Sequence, residues 1–175
     1  MNTKAHRESL DETDSPSSVL DQESLPLRIA SILVPTDFSD ESKNAVRYAT
    51  RFAEQFGASI HLVYVIESME NARNTGLLSD QIDVAGATKV LQSKLAELAN
   101  DEIEELVPVY PHVAVGRAFE EIVSLARTSS ADLIIIATHG RTGMKHVLMG
   151  SVAERVVRHA ACPVLVVRSN ERDFA

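Results

Sequence analysis

The chain has 175 residues, of which 45% are hydrophobic and 5% aromatic, and this balance favours a single α/β domain over an aromatic-rich β sandwich. Its formal net charge of −8 argues against a general affinity for nucleic acid or for anionic membranes, because both reward a basic surface. The apolar runs are shorter than the roughly 20 residues of a membrane helix, and Cys162 is the only cysteine, which excludes an internal disulfide.

The first segment, residues 1–27, differs from the rest of the chain. It is acidic and rich in serine and threonine, and its scattered apolar residues follow neither a helical nor an alternating period. Such a segment cannot bury enough apolar area to offset the entropy of ordering, so we expect a flexible acidic tail. The alternative is a short segment around Leu20 and Leu25 that docks on the domain. The start of the chain also lacks the layout of a signal peptide, which predicts a cytoplasmic protein.

The next part of the chain predicts a βαβ unit. An apolar run at residues 29–34, bounded by Pro35, is typical of a buried parallel strand. Ser39 is a good N-cap for a helix whose apolar residues recur at i, i+3 and i+4, and Gly57 ends that helix. Residues 59–66 then form the second predicted strand, and the crossover between the two should be right-handed.

The remaining residues predict three more strands and three more helices. Residues 67–80 form the longest internal loop, which is typical of a mobile or functional segment. Two prolines interrupt the third strand, at residues 107–115, and this predicts a position at the edge of the sheet. The other predicted elements are a long helix from Val84, a helix with Phe119, Ile122, Val123 and Ala126 on its buried face, a strand at residues 133–137, a helix at 152–159 and a strand at 163–167.

Five strands alternating with four helices predict a doubly wound, largely parallel five-stranded sheet with helices on both faces. Ligands on such sheets bind beyond the carboxyl ends of the strands, at the point where the strand order reverses. If the first and fourth strands flank that reversal, the turn Pro35-Thr36-Asp37 and the glycine-bearing loop after Ala137 face each other across one crevice. The strand order itself does not follow from the element pattern.

The glycine-bearing loop runs from Thr138 to Ser151, between a strand and a helix. This succession is how α/β proteins direct backbone N–H groups and a helix N-terminus at a phosphate. Arg141, Lys145 and His146 lie in the loop of an otherwise acidic chain and would create a positive field for a triphosphate; ordinary solvated charges are the alternative. We predict that this loop binds a nucleotide.

Three segments together resemble the universal stress protein family. They are Val34-Pro35-Thr36-Asp37-Phe38-Ser39, Thr138-His139-Gly140-Arg141-Thr142-Gly143, and the stretch from Gly150-Ser151 to Cys162-Pro163-Val164-Leu165-Val166-Val167. The resemblance implies a family domain over residues 28–170, a short C-terminal tail at 171–175, the strand order 3-2-1-4-5 and a fold like that of the adenine-nucleotide alpha hydrolases. It also implies homodimers joined through the last strand, at Val164, Leu165, Val166 and Val167, where an apolar edge invites another strand.

In the nucleotide-binding branch of that family, a Gly-x2-Gly-x9-Gly-Ser/Thr signature holds ATP. On this sequence Gly140 matches the second glycine and Gly150-Ser151 matches the end, whereas Ala137 stands where the first glycine is expected. The extra methyl group matters if the backbone there needs a positive φ or if the ligand passes within contact distance. The resemblance implies ATP, with or without Mg²⁺, bound by Pro35, Thr36, Asp37, Val65, Ile136, Ala137, Gly140, Arg141, Gly143, Gly150, Ser151 and Val152.

Several of these residues also have a purely structural interpretation. Ser151 and Glu154 form an S-x-x-E pattern, so Ser151 could serve only as the cap of the last helix. Asp37 could be a favourable charge near the N-terminus of the first helix, and Val65 could be an ordinary core residue. For His139, a bond to the backbone is a simpler role than that of a base.

No catalytic motif accompanies the loop. The chain has no G-x-x-x-x-G-K-S/T loop, Gly-x-Ser-x-Gly elbow or His-Glu-x-x-His run. His61, His112 and His159 lack ligand spacing, so we expect no metal site made by the protein alone. These patterns favour an ATP-binding regulatory protein in stress response, with slow hydrolysis at most. An interaction module of the same fold that binds no nucleotide is the alternative. A third possibility is a nucleotide hydrolase or adenylyl-transferring enzyme of related fold, but the glycine-rich loop after the first strand that would support it is replaced here by Pro35-Thr36-Asp37-Phe38-Ser39.

Overall fold

The computed structural model describes residues 27–67, 84–140 and 149–168. The predicted N-terminal tail, internal loop and C-terminal tail lie outside these ranges, apart from residues 27 and 67. Strands and helices alternate along the described chain: β1 (Ser31–Pro35), α1 (Asp40–Phe56), β2 (Ser59–Glu67), α2 (Val84–Glu102), β3 (Val109–Gly116), α3 (Ala118–Thr128), β4 (Leu133–Ala137), α4 (Ser151–His159) and β5 (Val164–Val167). Over these ranges no helix combines the length and apolar character needed to cross a membrane.

The strands form one five-stranded sheet in the order β3-β2-β1-β4-β5. Every neighbouring pair is parallel. The chain moves outward from β1 through β2 to β3 and then returns to β4 on the other side of β1, so the strand order reverses between β1 and β4. The doubly wound sheet and the order 3-2-1-4-5 are thereby confirmed.

β1 begins at Ser31, two residues later than the apolar run predicts. The reason is a side chain: the carboxylate of Asp132 accepts hydrogen bonds from the N–H groups of Ala30 at 2.7 Å and Ser31 at 3.0 Å. The N–H of Asp132 in turn donates to the C=O of Ser31 at 2.8 Å. Asp132 therefore anchors the start of β1 beside the start of β4 and sets the register of the two central strands.

Helix α1 begins and ends at the residues that the sequence indicates. Ser39 is its N-cap, and the Ser39 hydroxyl accepts the N–H of Ser42 at 3.2 Å. Gly57 ends the helix in a left-handed conformation with φ of 66°, and its N–H donates to the C=O of Ala53. Only glycine adopts this conformation without steric cost. The caps therefore fix where α1 starts, immediately after the turn that follows β1.

Helices cover both faces of the sheet, as predicted. Side chains along a strand point alternately to the two faces, and β4 shows the consequence. Leu133, Ile135 and Ala137 join the apolar cluster on the face covered by α1 and α2, whereas Ile134 and Ile136 join the cluster on the face covered by α3 and α4. Every residue of β4 is buried, and each large aliphatic side chain buried in this way contributes about 1.5–3 kcal/mol to stability.

β3 lies at one edge of the sheet, where its prolines are tolerated. The N–H of Ile60 donates to the C=O of Pro108 at 2.8 Å, and Ile60 is the register partner of Val109. In a parallel sheet this hydrogen-bonding pattern means that the N–H and C=O groups of Val109, and of every second residue after it, point away from β2. Pro111 is one of these outward residues, so its missing N–H removes no bond from the sheet. β5 forms the other edge.

Candidate functional site

A crevice of about 440 Å³ opens beyond the carboxyl ends of the central strands, at the reversal between β1 and β4. This is the position where doubly wound sheets bind ligands, and the volume lies within the range of small-molecule sites. The turn after β1, the end of β2, the loop after β4 and the first turn of α4 line it. The lining residues are Pro35, Thr36, Asp37, Ser42, Val63, Tyr64, Val65, Glu67, Ala118, Ile122, Ile136, Ala137, Thr138, His139, Gly140, Gly150, Ser151, Val152 and Ala153.

The structure brings together every predicted binding residue that it describes. Pro35, Thr36 and Asp37 form one wall, Val65 lies at the end of β2, and the signature residues Ile136, Ala137, Gly140, Gly150, Ser151 and Val152 form the opposite wall. The predicted residues Arg141 and Gly143, and the loop residues Lys145 and His146, lie outside the described ranges. The predicted facing of the turn and the loop is therefore observed.

Asp37 is held at the mouth of the crevice by Ser39. The Oδ1 atom of Asp37 accepts the N–H of Ser39 at 3.1 Å and the hydroxyl of Ser39 at 2.5 Å. The same hydroxyl oxygen accepts the N–H of Ser42, so Ser39 caps α1 and orients Asp37 at once. Asp37 is half-buried. Two bonds from one residue fix the direction of this carboxylate, and hydrogen bonds to an ionised carboxylate are stronger than those between neutral groups.

Thr36 anchors the same turn from below. It is buried, and its N–H donates to the C=O of Val63 at 2.8 Å. The Thr36 hydroxyl lies 3.0 Å from the hydroxyl of Ser42 and accepts the N–H of Phe38 at 3.1 Å. These bonds join the turn to β2 and to the first turn of α1. Thr36 therefore supports the shape of the turn, and its side chain is already engaged.

Close approach of neighbouring atoms favours glycine at two signature positions. A Cβ placed on Gly140 would collide with the Oδ2 atom of Asp37. The N–H of Gly150 donates to the C=O of Thr138 at 2.7 Å, and a Cβ on Gly150 would lie 3.0 Å from that oxygen. The φ of Gly150 is −69°, so any residue could adopt its backbone conformation. Lack of space for a side chain is what favours glycine at both positions.

Ala137, which replaces the first signature glycine, lies in regular strand opposite Val167. Among described residues other than glycine, positive φ occurs at Phe38 and Ser130, so the backbone of Ala137 does not need glycine's freedom. Ala137 is 8% exposed and belongs to the apolar cluster beneath α1. Its methyl group thus contributes to the core on that face of the sheet.

The N-terminus of α4 borders the crevice, but its cap differs from the prediction. Gly150 is the N-cap, and the N–H of Glu154 donates to its C=O at 3.0 Å. Ser151 is the first helical residue, so the predicted S-x-x-E capping box is wrong: the box requires serine one position earlier. Gly150 makes no side-chain cap, and the N–H groups at the start of a helix lack intrahelical partners. Such groups favour anions.

The described histidines and the cysteine differ in their surroundings. His139 Nδ1 lies 3.1 Å from the hydroxyl of Thr138. His61 Nδ1 lies 2.9 Å from His112 Nε2 across β2 and β3. Burial and, to a lesser extent, the charge of His112 lower the pKa of His61, and burial lowers the pKa of His112. Burial raises the pKa of the Cys162 thiol, which disfavours the nucleophilic thiolate form.

Sequence reasoning missed part of the crevice. Tyr64, Glu67 and Ser42 line it but belong to none of the predicted motifs, and Thr138 belongs to the glycine-bearing loop but was not predicted to bind the ligand. Tyr64 and Glu67 lie close to the predicted residue Val65 on β2, and Ser42 follows the N-cap Ser39 by one helical turn. Their closeness in sequence to these residues was the signal that could have indicated them. The described ranges contain no group of three or more His, Cys, Asp or Glu side chains arranged to hold a metal ion.

The chain is similar in sequence to known proteins of one family. A sequence model of the Universal stress protein family matches residues 29–168. Universal stress protein MJ0531 of Methanocaldococcus jannaschii is 33% identical over 147 residues, which cover 81% of this chain and 84% of that protein.

Solved structures share the fold. The MJ0577 protein, from the same archaeon, superposes with a TM-score of 0.71 at 28% identity, over 83% of this chain and all of that one. The universal stress protein of Archaeoglobus fulgidus, solved in complex with dAMP, superposes with a TM-score of 0.55 at 24% identity, over 80% of this chain and 98% of its own.

Proposed function

The chain belongs to the universal stress protein family, and we propose that it binds an adenine nucleotide, ATP, in the crevice between the Pro35-Thr36-Asp37 turn and the N-terminus of α4. The observation that carries this proposal is the contact between the two walls. Gly140 lies against the carboxylate of Asp37, where a Cβ on the glycine would collide, and within the loop Gly150 lies against the C=O of Thr138, where a Cβ would be tightly packed. The contact between Gly140 and Asp37 joins the two walls above the strand reversal and so bounds the site on that side.

Each wall of the crevice binds a different part of the nucleotide in this proposal. We assign Asp37, as an oriented acceptor, to the ribose hydroxyls. We assign the N–H groups of Ser151 and Val152 at the start of α4 to phosphate oxygens, because a helix N-terminus favours anions. Gly150, whose N–H already donates to the C=O of Thr138, lets the loop pass close beside them. Arg141 and Gly143 of the loop complete the phosphate contacts in this proposal.

The adenine base occupies the apolar part of the crevice in this proposal. Val65 is half-buried at the end of β2, and Ile136 is buried at the end of β4. We assign the backbone of Val65 to the edge of the adenine, and assign Pro35, Thr36, Ile136 and Ala137 to its walls. The dAMP bound by the universal stress protein of Archaeoglobus fulgidus supports an adenine nucleotide as the ligand class.

We further propose that the protein acts as a homodimeric regulatory protein in the cytoplasm, joined through β5. β5 is a short edge strand, and Val164, Leu165 and Val166 are only partly buried. An apolar edge with unpaired backbone groups is a template for another strand. The nucleotide then acts by stabilising one conformation of the dimer for a partner.

Hydrolysis is at most slow in this proposal. Among the described lining residues, Asp37 and Glu67 carry negative charge, and none is an arginine or a lysine. Phosphoryl transfer needs cationic groups on the transferred phosphate and a group that orients the nucleophile. Mg²⁺ brought in with the nucleotide would supply positive charge, and the loop residues Arg141 and Lys145 would add to it.

The test is thermal unfolding of the full chain with and without Mg-ATP, together with a mass spectrum of the small molecules released when the purified protein is denatured. ATP at about 100 times its dissociation constant stabilises a protein by about 2.7 kcal/mol, and GTP at the same concentration serves as the control. We expect a raised midpoint with ATP and an adenine nucleotide in the spectrum. An unchanged midpoint and an empty spectrum would show instead an interaction module that binds no nucleotide.

A further inference from the structure

We infer that Phe38 is a positioning residue for nucleotide binding: by stacking on Tyr64 it locks the turn after β1 and so holds Asp37 against Gly140. This inference rests on the proposed function and extends it, because Phe38 does not line the crevice. It acts through its neighbour in the chain.

The backbone of Phe38 is unusual. Its φ is 64°, in the left-handed region that L residues avoid, and Ser130 is the other non-glycine residue of the described chain with a positive φ. A bulky aromatic residue in this region is an outlier. Such a conformation persists only where the surroundings enforce it, and outliers of this kind cluster at functional sites. Phe38 adjoins Asp37, at the edge of the proposed nucleotide site.

Two contacts enforce this conformation. The ring of Phe38 stacks on the ring of Tyr64, with centroids 5.1 Å apart and planes inclined by 22°. Both rings pack against the apolar cluster beneath α1. On the backbone side, the N–H of Phe38 donates to the buried hydroxyl of Thr36 at 3.1 Å. The ring is therefore fixed to β2 while the backbone is fixed to the end of β1.

The consequence for Asp37 is steric and electrostatic. Phe38 sits between Asp37 and Ser39, and the Asp37 Oδ1 atom accepts both the N–H and the hydroxyl of Ser39. Those two bonds require the chain to turn sharply at Phe38, which its left-handed conformation provides. The Oδ2 atom then lies against Gly140. Releasing the ring of Phe38 frees the turn, and the carboxylate loses its fixed direction.

A matched set of variants tests this. Phe38→Leu removes the stack, Phe38→Tyr keeps the ring, and Phe52→Leu removes a comparable stack on Phe56, with centroids 6.1 Å apart, that lies outside the crevice. ATP affinity of the full chain is measured by calorimetry for each variant, alone and combined with Asp37→Asn. Exchange of the Ser39 amide is measured by NMR without nucleotide.

We expect Phe38→Leu to weaken ATP binding about tenfold, and Phe38→Tyr and Phe52→Leu to change it by less than about twofold. In the Asp37→Asn background, Phe38→Leu should cost less than about twofold more, because residues that act as one unit are not additive. Without nucleotide, Phe38→Leu alone should speed exchange of the Ser39 amide. Additive losses, unchanged affinity or unchanged exchange would overturn the inference. A wild-type chain that binds no ATP would refute the proposed function, and the exchange rates would still decide whether Phe38 holds the turn.

Discussion

The carboxylate of Asp37 lies against the Cα of Gly140, so closely that a methyl group on Gly140 would strike the Oδ2 atom. The two residues come from opposite ends of the domain sequence and meet because β1 and β4 are neighbours in the sheet. This contact closes the crevice at one side. Because it depends on the absence of a single side chain, it can be tested by adding one.

Gly140→Ala should weaken ATP binding by at least about tenfold. The added methyl displaces the Asp37 carboxylate, and losing one hydrogen bond to a charged group costs roughly 1.5–3 kcal/mol. Calorimetric titration with Mg-ATP measures the effect, and the melting point of the nucleotide-free protein is the control for folding. Wild-type affinity in a folded Gly140→Ala protein would show that the ligand does not need this contact.

Ala137→Gly restores the head of the family signature, yet we expect no gain in affinity beyond about twofold. The methyl of Ala137 packs in the cluster beneath α1, and its backbone is regular strand. Removing it should instead lower stability by about 1 kcal/mol, through lost burial and the flexibility of glycine. Thermal unfolding and ATP titration of the same preparation measure both effects. A large gain in affinity would mean that the methyl group obstructs the ligand.

Ser39→Ala and Ser151→Ala form a matched pair of helix-start variants. Ser39 is a true N-cap, so its loss should cost about 1 kcal/mol and lower the melting point by roughly 2–4 °C. Ser151 is the exposed first residue of α4 and not the cap, so its loss should leave the melting point nearly unchanged. If the Ser151 hydroxyl binds a phosphate oxygen beside the backbone N–H groups, Ser151→Ala weakens ATP binding without lowering the melting point. A large fall in melting point for Ser151→Ala would restore the capping interpretation.

Val166→Lys tests the proposed dimer. Val166 is a half-buried residue of the edge strand β5, and a lysine there would place a charge in the proposed strand pairing. We expect monomer or aggregate on a sizing column, where the wild type elutes as a dimer. The same substitution at Val115, an exposed residue of the opposite edge strand, is the control and should leave the dimer intact. A dimer that survives Val166→Lys would exclude pairing through β5.

Stability should fall with acid because of His61 and His112. Both pKa values are lowered in the folded protein from the ordinary 6.5, so the unfolded chain binds more protons between the folded and unfolded values. The stabilisation is complete above pH 6.5 and is lost as the pH falls through the folded pKa values. Melting curves between pH 5 and pH 8 measure this, with about 6.5 as the expected onset. His112→Gln should flatten the dependence and His159→Gln should not.

The sequence predicted most of the scaffold, because the scaffold follows local rules. The caps Ser39 and Gly57, the buried run of β4 and the prolines of β3 each act over a few residues, and all are confirmed. The strand order came from the resemblance to a family and is confirmed as well. The start of α4 was predicted one residue too late. Ser151 and Glu154 matched the capping-box pattern, whereas Gly150 is the actual N-cap.

Contacts between distant residues were harder to predict. His61 and His112 meet only through the register of β2 and β3, and nothing near either residue indicates a partner. The left-handed conformation of Phe38 has no signal at all, since aromatic residues normally avoid it. The crevice was predicted correctly in outline because its walls follow from chain topology. The stacking that shapes one wall depends on packing, which a single sequence does not display.

The outward-facing position of Pro111 limits how large an assembly built from these sheets can become. β3 lacks a donor there, so this margin of the sheet is a poor template for a further chain, whereas β5 retains all its backbone groups. Two copies joined margin to margin through β5 would present only the proline-bearing strands at their outer limits. Assembly would then stop at a closed dimer, and strand pairing through β5 would not continue into fibres.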